Sequence, residues 1–343
     1  MKIRVFLGGY INYINAQNIN CCSIAKFLNK KKFKVYMLST YFGTNYNKIN
    51  NINVFNCFKP FTLSKHLGYL WGIIICDVAY LPKHLDTPLW IIKFAKLLKK
   101  PIFTTIEGIN TTNTLLKSFH SKRKVIKIFN CYKKVYSITN QIAKQNKIIN
   151  TEKTILHLGV DESTFKRNHK ETLKTIIFIG HLIKRKGIND VKKLCDLFPD
   201  IQFKIVGDIS RLENKKLFSN NKNIKLFGIC DHSQINYIFS KSDLLVLPSK
   251  SEGFPKVILE AACAGIPSLI YSGYGGSKII NNNYNGFVVK DFEGMISVIK
   301  NLYSSRNKLS FVSKNTLSLS QKYSWRRNIT VWEKIIQTLY NEK

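Results

Sequence analysis

The sequence predicts an α/β protein built from two doubly wound parallel sheets in tandem. Short apolar runs typical of strands alternate with segments of helical apolar spacing, and this alternation indicates parallel βαβ units. The 343 residues are too many for one ordinary core and suit two domains of roughly 150 residues each. A turn-rich segment, His157–Asp161, separates the two series of elements, so we expect the domain boundary there.

Five strands and two helices are predicted in the first half of the chain. The first strand ends in Gly8-Gly9, a pair that predicts a tight turn directly after a buried strand. We expect residues 1–157 to form a Rossmann-like domain, with a C-terminal helix of about residues 323–343 packing back onto it. The predicted strands are Ile3–Leu7, Phe33–Leu38, Asp77–Leu81, Ile102–Ile106 and Val135–Thr139, and the helices are Ile19–Leu28 and Leu89–Leu98.

The second half of the chain repeats this order of elements, and glycine and proline residues mark the ends of its elements more clearly. We expect residues 158–322 to form the second Rossmann-like domain. One helix has Pro255 in its first turn and Gly265 just past its end, the usual arrangement of these two residue types. The predicted strands are Thr175–Ile179, Phe203–Val206, Ile224–Phe227, Leu244–Leu247 and Ser268–Tyr271, and the helices are Ile188–Leu197, Pro255–Ala264 and Trp325–Tyr340.

The positive charge of the chain is concentrated in its first half. The formal net charge is +34, and residues 1–150 contain 24 Lys or Arg but only three acids, Asp77, Asp86 and Glu107. Such a region is attracted to lipid headgroups, lipid-linked phosphates or nucleic acid. A Lys-rich composition explains many of these lysines, but it does not explain why acids are so scarce in one half.

Two basic segments could place this charge against a membrane. Leu89–Lys100 would put Lys93, Lys96 and Lys100 on one helical face, and Ser121–Lys127 adds further lysines. The alternative is that the first segment simply covers the sheet as a crossover helix. We expect a cytoplasmic protein that can attach peripherally to the inner face of the cell membrane. No secretory signal is visible, and the longest apolar stretch, Leu67–Cys76, is shorter than the ~20 residues of a membrane-spanning helix.

The eight cysteines give no sign of a metal site or a disulfide framework. They are scattered, no two form a CxxC pair, and none lies near a histidine at zinc-finger spacing. We therefore expect reduced, mostly buried thiols and no metal.

The candidate ligand site lies in loops that follow predicted strands, because open parallel sheets bind ligands beyond the carboxyl ends of their strands. The run Gly180–Gly187 places His181, Arg185 and Lys186 between a strand and a helix start, an arrangement that suits a phosphate or diphosphate. The alternative interpretation is an ordinary solvated basic loop.

Two glutamates accompany a second loop and its helix. Glu252 precedes the helix, and Glu260 lies inside its apolar run, where a charge is costly unless it is paired or held for a ligand. Carboxylates accept hydrogen bonds from vicinal hydroxyls such as those of sugars and ribose. The alternative is that both simply interact with the helix dipole. A third loop, Gly273–Ser277, is glycine-rich and taken alone indicates only a turn.

These motifs resemble those of the family 4 glycosyltransferases. The run PSKSEGFPKVILEAACAGIP is similar to their E-x7-E signature, with Glu252 and Glu260 as the two glutamates, and GHLIKRKG resembles their donor loop. LHLGVDESTF resembles their interdomain segment. The resemblance covers about residue 155 to the end of the chain. Before that it is only topological, through the opening strand with Gly8-Gly9 and the run PIFTTIEG.

The resemblance implies a GT-B fold, a nucleotide-sugar donor bound by the second domain and a saccharide or lipid-linked acceptor bound by the first. Lys186 would bind the donor diphosphate, Glu252 the sugar hydroxyls and Glu260 the ribose. Backbone amides of Gly253 and Phe254 would stabilise the leaving nucleotide. The family reaction retains anomeric configuration and uses no metal or other cofactor, and no DxD motif is present. Further candidates are His181, Arg185 and Gly9 for donor binding, and Glu107 for catalysis.

The sequence departs from the family pattern at three positions. His181 stands where the donor loop usually has Arg, and a histidine cannot fork onto a phosphate. Either Arg185 supplies the missing charge or the diphosphate is bound more weakly. Glu107 stands where the family often has His; its alternative is a solvated turn carboxylate. Lys278 stands where Glu is common.

Four other classes of protein fit parts of the sequence. A nucleic-acid-binding protein fits the charge, but no binding module accompanies it. A dinucleotide-dependent oxidoreductase is disfavoured because the first strand leads into GGYINYINAQN rather than G-x-G-x-x-G. A sugar-nucleotide epimerase could use the same fold. A non-catalytic relative would be consistent with His181 and Lys278, whereas the intact pair of glutamates argues against it.

Overall fold

The chain forms two compact units in the computed structural model. The structure describes residues 1–343 except 14, 44–48, 50, 109–110, 147, 211–215, 219–220 and 343. Unit 1 comprises Met1–Leu158 and Trp325–Lys343, and unit 2 comprises Gly159–Ser324. Each unit contains a six-stranded sheet whose strands all pair in parallel.

The sheet of unit 1 has the strand order β3-β2-β1-β4-β5-β6. Apart from the edge strand β3, its strands are mostly buried, as expected for a parallel sheet covered on both faces. The strands are β1 Ile3–Tyr10, β2 Phe33–Ser39, β3 Ile52–Asn56, β4 Val78–Tyr80, β5 Ile102–Ile106 and β6 Lys134–Ser137. The helices between them are α1 Ala16–Phe27, α2 Phe61–Ile75, α3 Leu89–Leu97, α4 Thr111–Phe119, α5 Lys122–Phe129 and α6 Asn140–Gln145.

The sheet of unit 2 has the order β12-β11-β10-β7-β8-β9. One continuous apolar core fills it, drawn from every strand and from the helices on both faces. The strands are β7 Thr175–Ile179, β8 Gln202–Val206, β9 Ile224–Gly228, β10 Leu244–Leu247, β11 Ser268–Tyr271 and β12 Phe287–Val289. The helices are α7 Ile188–Leu197, α8 His232–Ser240, α9 Lys256–Cys263, α10 Phe292–Ser304 and α11 Arg306–Lys322.

The last helix, α12 Trp325–Asn341, belongs to unit 1 although it follows unit 2 in the chain. Its fully buried Trp332 packs edge-on against Tyr80 of β4, with ring centroids 5.0 Å apart, and lies 6.1 Å from Phe103 of β5. The Trp332 indole N–H also donates to the backbone carbonyl of His157. The predicted fold class, two doubly wound parallel sheets with a C-terminal crossover helix, is confirmed.

Two local predictions about unit 1 are wrong. Gly8 and Gly9 do not form a turn; β1 continues through both to Tyr10. A Cβ at Gly9 would lie 2.8 Å from Sγ of Cys21, so glycine is required there because α1 packs closely on the strand. Helix α3 ends at Leu97, so Lys100 lies beyond it and donates to the carbonyls of residues 74 and 76 instead of extending the lysine face. Strand β3 and helix α2 were not predicted.

Candidate active site

The loops with the predicted site residues meet where the strand order of unit 2 reverses direction. The chain runs outward from β7 to β8 and β9, then returns to the other side of β7 and runs outward again through β10 and β11. The loops after β7 and β10 therefore leave the sheet from neighbouring strands in opposite directions. Ligands of doubly wound sheets bind at this switch point.

Glycine and main-chain hydrogen bonds hold the two loops together. Gly187 has φ +77°, and a Cβ there would collide with the carbonyl oxygen of Pro248. The Lys250 N–H donates to the Arg185 carbonyl at 3.0 Å, and Arg185 Nη1 donates to the Ser251 carbonyl at 2.6 Å. The basic loop is thus fixed against the loop that carries Glu252.

Lys186 and Glu252 form an ion pair across these two loops. The side chains are 18% and 13% exposed, whereas that of Arg185, whose Nη1 is 4.0 Å from the same carboxylate, is 46% exposed. A partly desolvated pair interacts more strongly than one on the open surface. The structure therefore joins three sequence-predicted site residues into one charged cluster with a net positive charge.

The loop after β11 packs against the same place. The Gly275 N–H donates to the Glu252 carbonyl at 3.4 Å, and a Cβ at Gly275 would collide with the Gly253 carbonyl. Beside it, Tyr274 is buried and donates to the Leu247 carbonyl at the end of β10, 3.4 Å away. Burial, with the Glu252 charge second, raises the pKa of Tyr274, so its phenol stays neutral. The glycine-rich loop is thus part of the site rather than a plain turn.

Unpaired backbone donors precede helix α9. The N–H groups of Gly253 and Phe254 have no acceptor in the part of the chain that the structure describes, and Pro255, at the N-cap, gives the helix no side-chain cap. Free N–H groups at a helix start favour an anion. They follow Glu252 directly, so an anion bound there would lie close to the charged cluster.

Glu260 lies in the second turn of α9 and is half-buried. Its carboxylate has no hydrogen-bond or ion-pair partner among the described residues, including Lys186 and Arg185. A half-buried carboxylate without a protein partner is available to hydroxyl donors of a ligand. The predicted role of Glu260, which is to bind the ribose, stays a prediction.

The remaining predicted residues of unit 2 are more open to solvent. The side chain of His181 is exposed just after β7, and only its backbone carbonyl is engaged, by the Ile183 N–H. Lys278 is exposed at the end of the short 3₁₀ turn Gly275–Lys278. Neither side chain joins the ion-paired cluster.

Glu107 belongs to unit 1, where a polar network holds it at the carboxyl end of β5. Its carboxylate accepts from Tyr80 Oη and Thr105 Oγ1, each at 3.1 Å, and from Asn20 Nδ2 at 3.0 Å. Tyr80 is fully buried, and burial followed by the Glu107 charge raises its pKa. Glu107 is therefore a positioned carboxylate rather than a freely solvated turn residue. Gly9, in the same unit, packs against α1.

Sequence reasoning missed two residues of the site. Ser249, directly after β10, is 1% exposed, and its Oγ has no hydrogen-bond partner in the described ranges. Tyr274 is the second, buried beneath the loop that holds Glu252. The position of Ser249 beyond a strand at the switch point was the available signal, but the sequence does not show which strands are neighbours.

Among the described residues, no group of three or more His, Cys, Asp or Glu side chains could hold a metal ion. All eight cysteines are free thiols, and six of them are buried. The described helices include none long and apolar enough to cross a membrane.

The architecture is that of the GT-B fold. The structure of Anabaena HepE in complex with UDP-glucose superposes with a TM-score of 0.77 at 14% identity, covering 98% of this chain and 100% of that one. At this identity the likeness defines the fold alone. Residues 159–316 match the family model described as "Glycosyl transferases group 1", and this segment is nearly all of unit 2.

Two curated relatives match over shorter segments. An uncharacterized glycosyltransferase of Haemophilus influenzae is 27% identical over 172 residues, 48% of this chain and 49% of the relative. The UDP-Gal:alpha-D-GlcNAc-diphosphoundecaprenol alpha-1,3-galactosyltransferase of Escherichia coli is 31% identical over 125 residues, 35% of this chain and 32% of the relative. The chain thus spans half the length or less of these relatives.

Proposed function

We propose that this protein is a retaining, metal-independent glycosyltransferase. It moves a sugar from a nucleotide-sugar to a saccharide or lipid-linked saccharide in the synthesis of a cell-surface polysaccharide or glycolipid. The observation that carries the proposal is the Lys186–Glu252 pair at the switch point of unit 2, beside unpaired N–H groups at the start of α9. The family match over this unit and the two glycosyltransferase relatives support it.

The donor would occupy the carboxyl edge of the unit 2 sheet. Lys186, with Arg185 beside it, would bind the diphosphate, and the N–H groups of Gly253 and Phe254 would donate to its oxygens. Glu252 would accept hydrogen bonds from sugar hydroxyls, and Glu260 from the ribose. Because Lys186 carries three donors, it can hold the diphosphate while one N–H stays on Glu252. His181 would contribute at the rim of the site.

The reaction breaks the bond between the anomeric carbon and the diphosphate oxygen and forms one from that carbon to an acceptor hydroxyl oxygen, on the face that the leaving group vacates. The electron pair of the broken bond goes to the diphosphate. The acceptor proton passes to a leaving phosphate oxygen. Lys186 and the N–H groups of Gly253 and Phe254 stabilise the negative charge that develops on the leaving diphosphate. This stabilisation lowers the barrier to the reaction.

We assign acceptor binding to the first domain, residues 1–157 with the C-terminal helix, and donor binding to residues 158–322. Glu107 supports this division, because its carboxylate is held in place by three side-chain donors at the carboxyl edge of the unit 1 sheet. A carboxylate held there can accept a hydrogen bond from a hydroxyl group of the acceptor saccharide. Gly9 is the other unit 1 candidate, one residue before the end of β1, which β4 separates from β5.

A thermal-shift screen against nucleotide-sugars and free nucleoside diphosphates tests the donor site. A ligand that binds only the folded protein stabilises it by about 2.7 kcal/mol at 100 times its dissociation constant. UDP compounds come first, because a structural neighbour was solved with UDP-glucose. We expect a shift with one nucleotide family that Glu260→Ala removes, and that the matched change Glu293→Ala, at an exposed helix start, preserves.

Ligand binding, donor turnover and sugar transfer together separate the rival functions. A nucleic-acid-binding protein would ignore all these ligands and bind with steep salt dependence. An epimerase would convert the donor with no acceptor present. A non-catalytic relative would bind the donor and never transfer the sugar. A well-folded sample with no shift for any nucleotide-sugar would refute the donor site.

We also propose peripheral attachment to an anionic membrane surface through unit 1. Helices α3 to α5, with Cys131, line a cavity of about 350 Å³ in which apolar side chains accompany three lysines, Lys93, Lys124 and Lys127. These lysines are exposed and have no acidic partner in the described parts of the chain. Exposed Trp90 and Leu97 flank them on α3. Unneutralised lysines beside apolar side chains suit an anionic lipid surface.

Co-sedimentation with vesicles tests this attachment. We expect the protein to pellet with phosphatidylglycerol-containing vesicles, and the triple change Lys93→Glu, Lys124→Glu and Lys127→Glu to prevent it. The control carries Lys241→Glu, Lys300→Glu and Lys314→Glu, three exposed lysines of unit 2. Equal binding by the two triple variants would refute this surface.

A further inference from the structure

Five aromatic rings cluster where three neighbouring strands of unit 1 end. Tyr10 closes β1 and Tyr13 follows it, Tyr41 and Phe42 follow β2, and Phe61 begins α2 after β3. The ring centroids of contacting pairs are 5.1 to 6.3 Å apart, mostly in edge-on geometry. We call these five residues the ring cluster. It lies at the carboxyl edge of the sheet, where open α/β sheets bind ligands.

The outer rings of the cluster are unusually exposed. Tyr13, Tyr41 and Phe42 are 45%, 47% and 51% exposed, although they contact one another and the inner rings. Single exposed apolar side chains are normal, but a contiguous group marks an interaction site. The rings therefore form a surface that remains available to a ligand.

Charged groups lie directly beside the rings. Lys83 Nζ lies 4.2 Å from the centroid of the Tyr10 ring and 3.2 Å from Asp86, and Lys65 is also 3.2 Å from Asp86. Lys59 Nζ lies 5.5 Å from the centre of the Tyr41 ring. Lys65 and Lys83 thus pair with the single carboxylate of Asp86, and Lys59 lies beside Tyr41, so this edge of the cluster keeps a net positive charge.

We propose that the ring cluster binds a saccharide ring that carries an anionic substituent. The C–H bonds on the apolar face of a sugar pack against the electron-rich faces of Tyr13, Tyr41 and Phe42. Asp86 accepts hydrogen bonds from the sugar hydroxyls, and the lysines bind the carboxylate or phosphate of the substituent. If the proposed glycosyl transfer holds, this ligand is the acceptor; the binding itself does not depend on that function.

The charged groups favour a saccharide over a lipid bilayer. Hydrocarbon chains offer nothing to a carboxylate, and the charge of Asp86 would lose its water on contact with them. A sugar instead presents hydroxyls and C–H faces together, and the cluster offers a partner for each. Tyr10 ends β1, and Lys83 and Asp86 follow the neighbouring β4, so the charged edge of the cluster lies beside the switch point between these two strands.

Saturation-transfer NMR with a matched pair of probes tests the proposal. Methyl β-glucuronide and methyl β-glucoside share a ring and differ at one carboxylate, and vesicles of phosphatidylcholine serve as the bilayer probe. We expect transfer from the protein to both sugars, stronger for the glucuronide. The double change Tyr41→Ala and Phe42→Ala should lower both saturation-transfer signals roughly fivefold, because an aromatic contact contributes binding free energy of that order. Lys59→Gln should lower the preference for the glucuronide only.

The matched control is Tyr303→Ala with Phe311→Ala, two aromatic residues of unit 2 that are exposed to a similar degree. Unchanged circular dichroism and unchanged thermal shift with nucleotide-sugars would show that the variants fold and keep the donor site. No transfer to either sugar, or equal signals in the two double variants, would overturn the proposal. So would binding to phosphatidylcholine vesicles that the Tyr41 and Phe42 changes abolish. Failure of donor binding alone would refute the proposed function and leave this site intact.

Discussion

The Lys186 ammonium and the Glu252 carboxylate form an ion pair between two loops that leave neighbouring strands of unit 2 in opposite directions. Each group is largely removed from solvent, so each depends on the other for compensation of its charge. A ligand that replaces the ion-pair partner of one of these two groups must therefore also provide a partner for the other group. A nucleotide-sugar does so, because its diphosphate is anionic and its sugar carries hydroxyls.

The change Glu252→Gln tests this relationship. Glutamine keeps the size and one acceptor but removes the negative charge, so we expect sugar transfer to fall about a hundredfold or more, the range seen when one stabilising polar group is removed from an active site. Initial rates with the nucleotide-sugar that the thermal-shift screen identifies would measure it. Glu293→Gln is the control. Wild-type turnover by the Glu252 variant would contradict its assignment to the site.

The change Gly187→Ala should loosen the joined loops. Alanine is strained at φ +77°, which costs about 1 kcal/mol, and its Cβ would also meet the Pro248 carbonyl, which adds roughly 1–3 kcal/mol. Gly273→Ala separates the two effects, because Gly273 has φ +94° and no atom lies near its added Cβ. Urea unfolding would measure both variants. An equal loss in the two would show that the loop contact contributes nothing.

The stability of the protein should fall with acid through buried His84. Its Nε2 lies 2.8 Å from Thr104 Oγ1, and burial lowers the pKa of His84 to about 4, below the ~6.5 of an unfolded chain. A group whose pKa is lower in the folded state gives its full stability above pH 6.5 and loses it as the pH falls toward 4. We expect about 2 kcal/mol less stability at pH 5 than at pH 7.5 from this residue. Urea titrations of wild type and His84→Gln at both values measure it, and an identical pH dependence in the two would contradict the assignment.

Two buried serines should respond differently to alanine. Ser249 Oγ has no partner in the described chain, so Ser249→Ala removes an unpaired polar group and should leave stability unchanged or raise it by up to about 1 kcal/mol. Ser313 Oγ donates to the Gly265 carbonyl at 2.7 Å and accepts from the Lys170 N–H at 2.9 Å. Ser313→Ala should therefore cost about 1–3 kcal/mol. Equal losses in thermal or urea unfolding would show that Ser249 is hydrogen-bonded in solution.

The predicted bounds of β5, β7, β10, β11 and α7 agree with the structure. Gly180, Pro248 and Pro199 follow three of these elements, but glycine did not always mark an end, because β1 continues through Gly8-Gly9. Helix α2 was not predicted, because the helix face that packs into the protein interior is not the face that carries most of its apolar side chains. Gly68 and Gly72 are among the residues it buries, and a Cβ at Gly72 would meet the Phe6 ring 2.5 Å away. Hydrophobic periodicity cannot reveal a helix that packs through glycines.

The sequence identified residues of the candidate site but did not show how they are arranged in space. Lys186, Glu252 and Glu260 stand out because charges follow strands or interrupt an apolar helix. The ion pair between Lys186 and Glu252 forms because β7 and β10 are neighbours in the sheet. The local sequence pattern does not show the order of the strands. Ser249 and Tyr274 were missed for the same reason, since only the assembled sheet places them beside Glu252. Lys100 was misplaced because α3 ends three residues early.

Helix α12 has a consequence for the order in which the protein can form during synthesis. Unit 2 is one unbroken stretch of chain, so all of it is translated before Trp332. Unit 1 lacks the indole that packs on Tyr80 and Phe103 until α12 has been translated. The half of the molecule that is translated first is therefore the half that is completed last, and β4 and β5 stay partly uncovered in the interval.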